Sequence, residues 1–169
     1  MMRQVARVRE GAPLPPLRLP RLDGKTFTLD ASDRRVMPIF FFCGCDDCYK
    51  VATEWCQMQR SGALKESYRI DATVVIYVDL SVVAAKALAE QIGWPGEQSI
   101  LLLDRDNQVR DLWKAEPCPR VFLRDSAGVL RYTNVHPYDA ARKAAPPAIV
   151  AFTLDALKKL SPNPTTRRK

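Results

Sequence analysis

Three of the five cysteines fall within six residues, in the segment Cys43-Gly44-Cys45-Asp46-Asp47-Cys48, and the other two are Cys56 and Cys118. This clustering is unlike the spaced framework of a secreted disulfide-rich domain and favours redox or metal chemistry. A Cys-x-x-Cys pair can exchange disulfides when its first thiol lies at a helix N-terminus, where backbone N–H groups favour a thiolate. The second thiol then lies one turn along, close enough to resolve a mixed disulfide. We predict Cys45 as the attacking thiol and Cys48 as the resolving thiol.

The sequence around this pair predicts a strand that leads directly into a helix. Residues 36–42 are β-branched and aromatic, which is typical of a buried strand, although Pro38 weakens its start. From Asp46 to about Arg60, apolar residues recur at three- and four-residue steps, the period of a helix with one buried face. Acidic residues in the first turn suit the positive end of the helix dipole. Cys45 is therefore expected at the start of this helix.

Strands and helices alternate along the rest of the chain. We predict further strands over 72–78 and 100–103, helices over 82–92, 107–114 and 148–160, and a hairpin of strands 120–123 and 130–133. The dipeptide Asp23-Gly24 predicts another hairpin over 22–29, after a proline-rich stretch at 10–20 that should run extended over the surface. The fold class predicted is α/β, with three layers: a central mixed sheet with helices on both faces and an N-terminal β-hairpin extension.

The positive charge of the chain lies at its two ends. The net charge is +7, from 26 basic and 19 acidic residues, and a basic chain can bind nucleic acid or a membrane surface. Residues 1–21 carry +4 and residues 158–169 carry +5, whereas residues 22–157 carry −2. We therefore expect no nucleic-acid partner.

The length of 169 residues and the hydrophobic content of 47% fit one domain with its own core. We place that domain at 13–160, between flexible basic ends at 1–12 and 161–169. No stretch reaches the roughly 18 consecutive apolar residues of a membrane helix, and the first residues lack the apolar segment of a secretory signal. We expect a cytoplasmic protein without a membrane span, or an extracytoplasmic one if a signal or anchor was removed.

The layout resembles the thioredoxin-fold redoxins of the alkyl hydroperoxide reductase/thiol-specific antioxidant superfamily, in particular its thiol–disulfide oxidoreductase branch. The resemblance rests on residues 11–13 (GAP), 22–25 (LDGK), the Cys45-x-x-Cys48 unit, Leu103-Asp104 and the segment 118–128 (CPRVFLRDSAG). That last segment is similar to the family's Pro-x-x-Phe-Leu-x-Asp-x-x-Gly. The resemblance implies that Pro119 is a cis-proline facing the Cys-x-x-Cys pair, and that it and Cys118 shape a substrate groove. It also implies a protein or small-molecule thiol/disulfide substrate and a thiol electron donor, with no cofactor.

Peroxide reduction is an alternative that the residues disfavour. If Cys48 were the peroxidatic residue, the threonine and proline of the peroxiredoxin motif would fall at Cys45 and Phe41. The arginine that polarises a peroxide would fall near Pro119, and the adjacent Arg120 is expected to point to the other side of its strand.

The thiol–disulfide relatives often have a Trp before the first cysteine and a Glu three residues after the second. Here those positions are Gly44 and Val51, so the buried proton acceptor of that branch is unassigned and Glu54 is a loose candidate.

Asp46 and Asp47 oppose a thiolate on the preceding cysteine. We therefore expect a reducing dithiol, with a reduction potential nearer that of thioredoxin than that of a strong oxidant.

The remaining cysteines leave further alternatives open. Cys43 could be a packing residue, an accessory thiol or a metal ligand. Cys118 could be a third redox thiol, a metal ligand or a small apolar residue that fills its position. Cys56 is expected to be an inert core thiol. Cys43, Cys45, Cys48 and Cys118 could supply the four thiolates of a zinc site, but their convergence is not assured, so we expect no metal. A redox-sensing module without turnover is another alternative. His136, the only histidine, lies in a Pro/Tyr-rich loop and is not expected to be a ligand.

Overall fold

The computed structural model describes residues 8–135 and 146–160. The elements of these residues, in chain order, are β1 (Leu17–Pro20), β2 (Thr26–Leu29), β3 (Met37–Phe42), α1 (Asp46–Arg60), α2 (Ala63–Tyr68), β4 (Thr73–Tyr77), α3 (Val82–Ile92), β5 (Ser99–Leu103), α4 (Gln108–Trp113), β6 (Arg120–Arg124), β7 (Leu130–Thr133) and α5 (Pro146–Leu160). No helix among them is long and apolar enough to cross a membrane. His136 and most of the two predicted basic ends lie outside the described residues.

A five-stranded mixed sheet with the order β5-β4-β3-β6-β7 forms the centre of the fold. β3 pairs in parallel with β4 and antiparallel with β6, so the strand that precedes the cysteine cluster lies in the middle of the sheet. All six residues of β3 are buried, because both faces of the sheet are covered. Pro38 occupies a paired position opposite Leu123, within the strand that the sequence predicts.

Alternate residues of β3 enter two different cores. Phe40 and Phe42 pack on the face covered by α1, α2, α3 and α5, where Trp55 of α1 contacts Phe40 edge-on. Ile39 and Phe41 pack on the other face, which is covered by the β1–β2 hairpin and by Trp113 of α4. The predicted arrangement of a mixed sheet with helices on both faces and an N-terminal hairpin is therefore confirmed.

Local signals explain most element boundaries. The turn at Asp23-Gly24 joins β1 to β2, with Gly24 at a φ of 91° and the Asp23 carboxylate accepting from the Lys25 N–H at 2.9 Å. Ser81 caps α3 by accepting from the Ala84 N–H at 3.1 Å, and Gly93 ends that helix in the left-handed conformation. Gly11 and Ala12 exchange backbone hydrogen bonds with Leu130 at the start of β7.

The structure corrects three details of the sequence interpretation. The proline-rich stretch 10–20 is not wholly a surface segment, because its last four residues form β1 and bury Leu17 and Leu19. The short helix α2 was not predicted. The helical period also predicts that Phe152 lies with Ile149 and Leu157 on the buried side of α5; Ile149 and Leu157 are buried, but Phe152 is 53% exposed, and Val150 and Thr153 are buried as well. The buried side faces α1 and the strands β6 and β7, which the helical period alone does not identify.

Candidate active site

Cys45 is the N-cap residue of α1, as the spacing predicts. Its backbone is extended, with φ −82° and ψ 160°, and its Sγ accepts from the Cys48 backbone N–H at 3.3 Å. This hydrogen bond satisfies one of the N–H groups that a helix leaves free in its first turn. A sulfur at this position lies at the positive end of a 15-residue helix, where an anion is stabilised.

The register of β3 and β6 brings Cys43 and Cys118 together. Phe41 lies opposite Arg120 in the antiparallel pair, and continuing this register two residues beyond Phe41 places Cys43 opposite Cys118. The two Sγ atoms are 2.6 Å apart. Cys118, which the resemblance places in a groove beside the Cys-x-x-Cys pair, thus lies against Cys43 in the structure.

All four of these thiols converge, although the sequence did not assure this. The Sγ atoms of Cys43, Cys45, Cys48 and Cys118 lie within 4.8 Å of one another. The Cys43 N–H donates to the Cys48 Sγ at 3.3 Å, and the Cys43 and Cys48 sulfurs are 3.7 Å apart. The chain turns sharply between β3 and α1, so the first turn of the helix folds back over the end of the strand. We call these four residues the thiol cluster.

The members of the thiol cluster differ in burial and in acidity. Cys48 is only 2% exposed, whereas Cys43, Cys45 and Cys118 are half-buried. A sulfur–sulfur hydrogen bond with Cys118, together with burial, raises the pKa of Cys48. The pKa of Cys43 is raised to about 12, and burial is the largest cause. Hydrogen bonds with Cys48 and then Cys43 outweigh burial and lower the pKa of Cys118 to about 5. Cys118, a residue that the sequence left ambiguous, is thus more acidic than Cys43 and Cys48.

The loop that carries Cys118 is held by hydrogen bonds from β6 and from the residue after β7. The Cys118–Pro119 peptide bond is cis, as the resemblance implies, and so is Glu116–Pro117. The buried Asn134 side chain donates to the Pro119 carbonyl at 3.0 Å and accepts from the Val121 N–H at 2.9 Å. Asn134 thereby fixes the loop against the strand, a role that no signal in the sequence identifies.

The sequence matches the AhpC/TSA family over residues 11–133. The chain belongs to the AhpC/TSA family. The matched region contains the thiol cluster, the loop with Pro119 and the β6–β7 turn, so the resemblance stated from the sequence is confirmed. No curated protein matches the chain by sequence.

Solved structures of redoxins share the fold of this AhpC/TSA family member. Peroxidoxin BcpB from Mycobacterium tuberculosis has a TM-score of 0.69 at 16% identity, covering 92% of this chain and 99% of that one. A thiol:disulfide interchange protein from Bacteroides sp. has a TM-score of 0.67 at 15% identity, with 95% and 96% covered. The thioredoxin domain of a thiol-disulfide oxidoreductase from Bacteroides vulgatus reaches 0.60 at 16% identity, with 81% and 98% covered. These similarities establish a thioredoxin-like fold, which is shared by proteins named for different activities.

Arg120 lies on the face of the sheet opposite α1, as predicted. Its guanidinium donates to the carbonyls of Lys114, Glu116 and Val135 at 3.0–3.1 Å, and it lies over the Phe122 ring. With no carboxylate among these partners, burial lowers the pKa of Arg120 to about 10. In this AhpC/TSA family member, Arg120 therefore holds the loop that precedes Cys118 in place, from the side of the sheet opposite α1.

A cleft of about 390 Å³ opens beside the thiol cluster. Cys45 and the half-exposed Tyr49 line one side, and Leu88 and Ile92 of α3 line the other. An apolar wall next to an accessible thiol can receive an extended segment of a substrate.

Glu54 is exposed on α1 and does not line this cleft, so it is not a buried proton acceptor. Among the described acidic residues only Asp104 is buried, and it accepts from the Arg110 N–H at the end of β5. The sequence interpretation of Glu54 as a candidate is therefore wrong.

Proposed function

We propose that this AhpC/TSA family member is a thiol–disulfide oxidoreductase that works through Cys45 and Cys48. The observation that supports it most directly is the different accessibility of the two thiols: Cys45 lines the open cleft at the start of α1, and Cys48 is buried one turn behind it. An accessible first thiol and a shielded second thiol suit sequential attack on a substrate disulfide.

The exchange takes place in two steps. In the first, the Cys45 thiolate attacks one sulfur of the substrate disulfide, and a mixed disulfide forms as one substrate thiolate leaves and takes a proton from solvent. In the second, Cys48 loses its proton and attacks the Cys45 sulfur, so that the Cys45–Cys48 disulfide forms and the second substrate thiolate leaves. Two electrons pass to the substrate, and a thiol donor returns them.

Pro119 and Cys118 are proposed to shape the substrate groove, with Cys43 as an accessory thiol. Pro119 and Cys118 lie on the loop that precedes β6, and the Cys118 sulfur belongs to the thiol cluster. A cytoplasmic location is part of the proposal, because a reducing thiol pool would keep the dithiol ready for the next turnover.

Insulin reduction with a small dithiol as electron donor tests this function. We expect Cys45→Ser to abolish turnover, and Cys48→Ser to lose turnover while it accumulates a mixed disulfide through Cys45. Cys56→Ser is the matched control, because Cys56 is buried against the Ile92 and Gly93 carbonyls, away from the thiol cluster, and should keep wild-type activity. Full activity in Cys45→Ser would disprove the proposal.

Disulfide mapping by mass spectrometry is a second, independent test. A dominant Cys45–Cys48 bond in the air-oxidised protein supports the proposed exchange. The short distance between the Cys43 and Cys118 sulfurs makes that pair the main competitor. A protein in which only Cys43–Cys118 forms would contradict the assignment of Cys45 and Cys48.

Peroxide reduction has less support. The face of β6 that carries Arg120 points away from α1, so this guanidinium does not line the cleft beside Cys45. Hydrogen peroxide consumption is therefore expected to be slow.

A further inference from the structure

The thiol cluster contains more sulfur ligands than dithiol exchange requires. Its four Sγ atoms all lie within 4.8 Å of one another. A Zn²⁺ ion with Zn–S bonds of about 2.3 Å holds its sulfurs about 3.8 Å apart in a regular tetrahedron. The Cys43–Cys48 distance of 3.7 Å matches this spacing. The Cys43 and Cys118 sulfurs, 2.6 Å apart, would need to separate by about 1.2 Å.

The elements that carry the four thiols hold them in a fixed arrangement. Cys43 directly follows the central strand β3, Cys45 and Cys48 belong to the start of α1, and Cys118 lies two residues before β6, with its sulfur against that of Cys43. Two of the sulfurs also accept backbone hydrogen bonds at 3.3 Å, Cys48 from the Cys43 N–H and Cys45 from the Cys48 N–H. Outer contacts of this kind orient ligand atoms toward a metal and tune their affinity.

We propose that the reduced protein binds one Zn²⁺ ion through Cys43, Cys45, Cys48 and Cys118. Four thiolates in a tetrahedral arrangement are a ligand set that suits Zn²⁺, an ion without redox chemistry. Such a site is closed, with no position left for a substrate or an activated water. The bound ion therefore occupies the thiols and does not add a metal-catalysed reaction.

One consequence rests on the proposed function: zinc and the Cys45–Cys48 disulfide exclude each other. When a substrate disulfide oxidises the zinc-bound protein, the substrate S–S bond breaks and the Cys45–Cys48 bond forms. The two substrate thiolates leave and take protons from solvent, and the ion, left with Cys43 and Cys118 as its only ligands, dissociates. Bound zinc therefore inhibits exchange by protecting the attacking thiol, and oxidation releases it.

Metal titration of the reduced, full-length protein tests the site. Zn²⁺ is titrated in competition with a chromophoric chelator, and Co²⁺ serves as a spectroscopic substitute. We expect one ion per chain, and a Co²⁺ spectrum with the intense visible bands and sulfur charge transfer of a four-thiolate tetrahedron. Cys43→Ser and Cys118→Ser should each weaken Zn²⁺ binding by at least about 100-fold, since losing a direct ligand costs more than the roughly 10- to 100-fold loss caused by removing an outer contact. Cys56→Ser, the matched control, should bind like the wild type.

Equal zinc affinity in wild type, Cys43→Ser and Cys118→Ser would overturn the proposal, and so would a Co²⁺ spectrum of only two thiolate ligands. Circular dichroism reports whether each variant folds. Where a variant does not fold, the Co²⁺ spectrum of the wild type still decides whether four thiolates bind the metal. Insulin reduction measured with a metal chelator separates the two proposals. Activity without stoichiometric zinc binding refutes the site alone, and zinc binding without activity refutes the proposed function alone.

Discussion

At the residue scale, the N-terminus of α1 and the carboxylates of Asp46 and Asp47 act on Cys45 in opposite directions. The N-terminus of α1 favours a thiolate at its N-cap, whereas two carboxylates in the first turn disfavour it. Both aspartates are exposed, so solvent and salt screen their effect to well below that of a buried charge. The helix therefore stabilises a thiolate at Cys45 less than it would with neutral residues in that turn.

The double variant Asp46→Asn/Asp47→Asn should therefore be more oxidising than the wild type. Removing the carboxylates stabilises the Cys45 thiolate and with it the reduced dithiol, which raises the reduction potential. Exposed charges contribute about 0.5–1 kcal/mol, which corresponds to a rise of about 10–20 mV. Equilibration with glutathione measures the potential, and the wild type is expected nearer the value of about −270 mV typical of thioredoxin than about −120 mV.

Glu54→Gln is the control for this prediction, because it removes the same charge from an exposed position farther along α1. Its potential should equal that of the wild type. A wild-type potential in the range of strongly oxidising disulfide-forming enzymes would contradict the electrostatic argument, as would a lower potential in the double variant.

At the scale of secondary-structure elements, the β6–β7 turn depends on one carboxylate. Asp125 accepts from the backbone N–H groups of Ala127 and Val129, both at 2.9 Å, and from Arg131 Nε at 2.6 Å. Gly128 adopts a φ of 82° and donates to the Asp125 carbonyl at 3.0 Å. The Asp-x-x-Gly part of the family motif is thus a turn that fixes the register of β7 beside β6.

Asp125→Ala should destabilise the protein by about 1–3 kcal/mol at neutral pH, since hydrogen bonds to a charged acceptor are lost. Burial acts to raise the pKa of Asp125, but the hydrogen bonds from Arg131, Val129 and Ala127 outweigh it and lower the pKa below its usual value. The contribution of Asp125 is therefore fully present above the unfolded pKa of about 3.9 and is lost as the pH falls through the lowered folded value.

Urea unfolding at pH 7 and at pH 3 measures this effect. The difference between wild type and Asp125→Ala should be large at pH 7 and clearly smaller at pH 3. Glu90→Ala, on the exposed side of α3, is the control and should change stability by less than about 0.5 kcal/mol at both values. An equal loss for Asp125→Ala at both pH values would show that the carboxylate charge does not stabilise the turn.

The elements around the thiol cluster could be predicted from local signals, but the contacts between them could not. The run of apolar residues identifies β3, and the cysteine and aspartates that follow it identify the start of α1. The approach of Cys118 to Cys43 depends on the register between β3 and β6, which are separated by more than 70 residues in the chain. Asn134 and Arg120 act through buried contacts with loop carbonyls, which also depend on tertiary packing.

At the scale of the whole molecule, the positive charge and the redox site belong to different parts of the chain. The members of both hydrophobic cores that the structure describes, the thiol cluster and the loop with Pro119 lie between residues 8 and 160. Residues 1–7 and 161–169 carry two and three positive charges without an acidic residue, so removing them leaves a net charge of +2. Nonspecific attraction to polyanions grows with the number of cationic groups and falls steeply with salt.

A variant that contains only residues 8–160 should therefore keep its fold and its exchange activity. Its insulin reduction rate and its thermal midpoint should match those of the full chain, with stability changed by less than about 0.5 kcal/mol. Its retention on a cation-exchange column and its salt-sensitive binding to duplex DNA should fall, because five positive charges have been removed.

Reduced insulin turnover with an unchanged thermal midpoint would contradict this prediction and would show that the basic ends help to recruit the substrate or the electron donor. That outcome is distinguished from simple destabilisation by comparing insulin with a small uncharged disulfide, since only a substrate that contacts the ends would be affected.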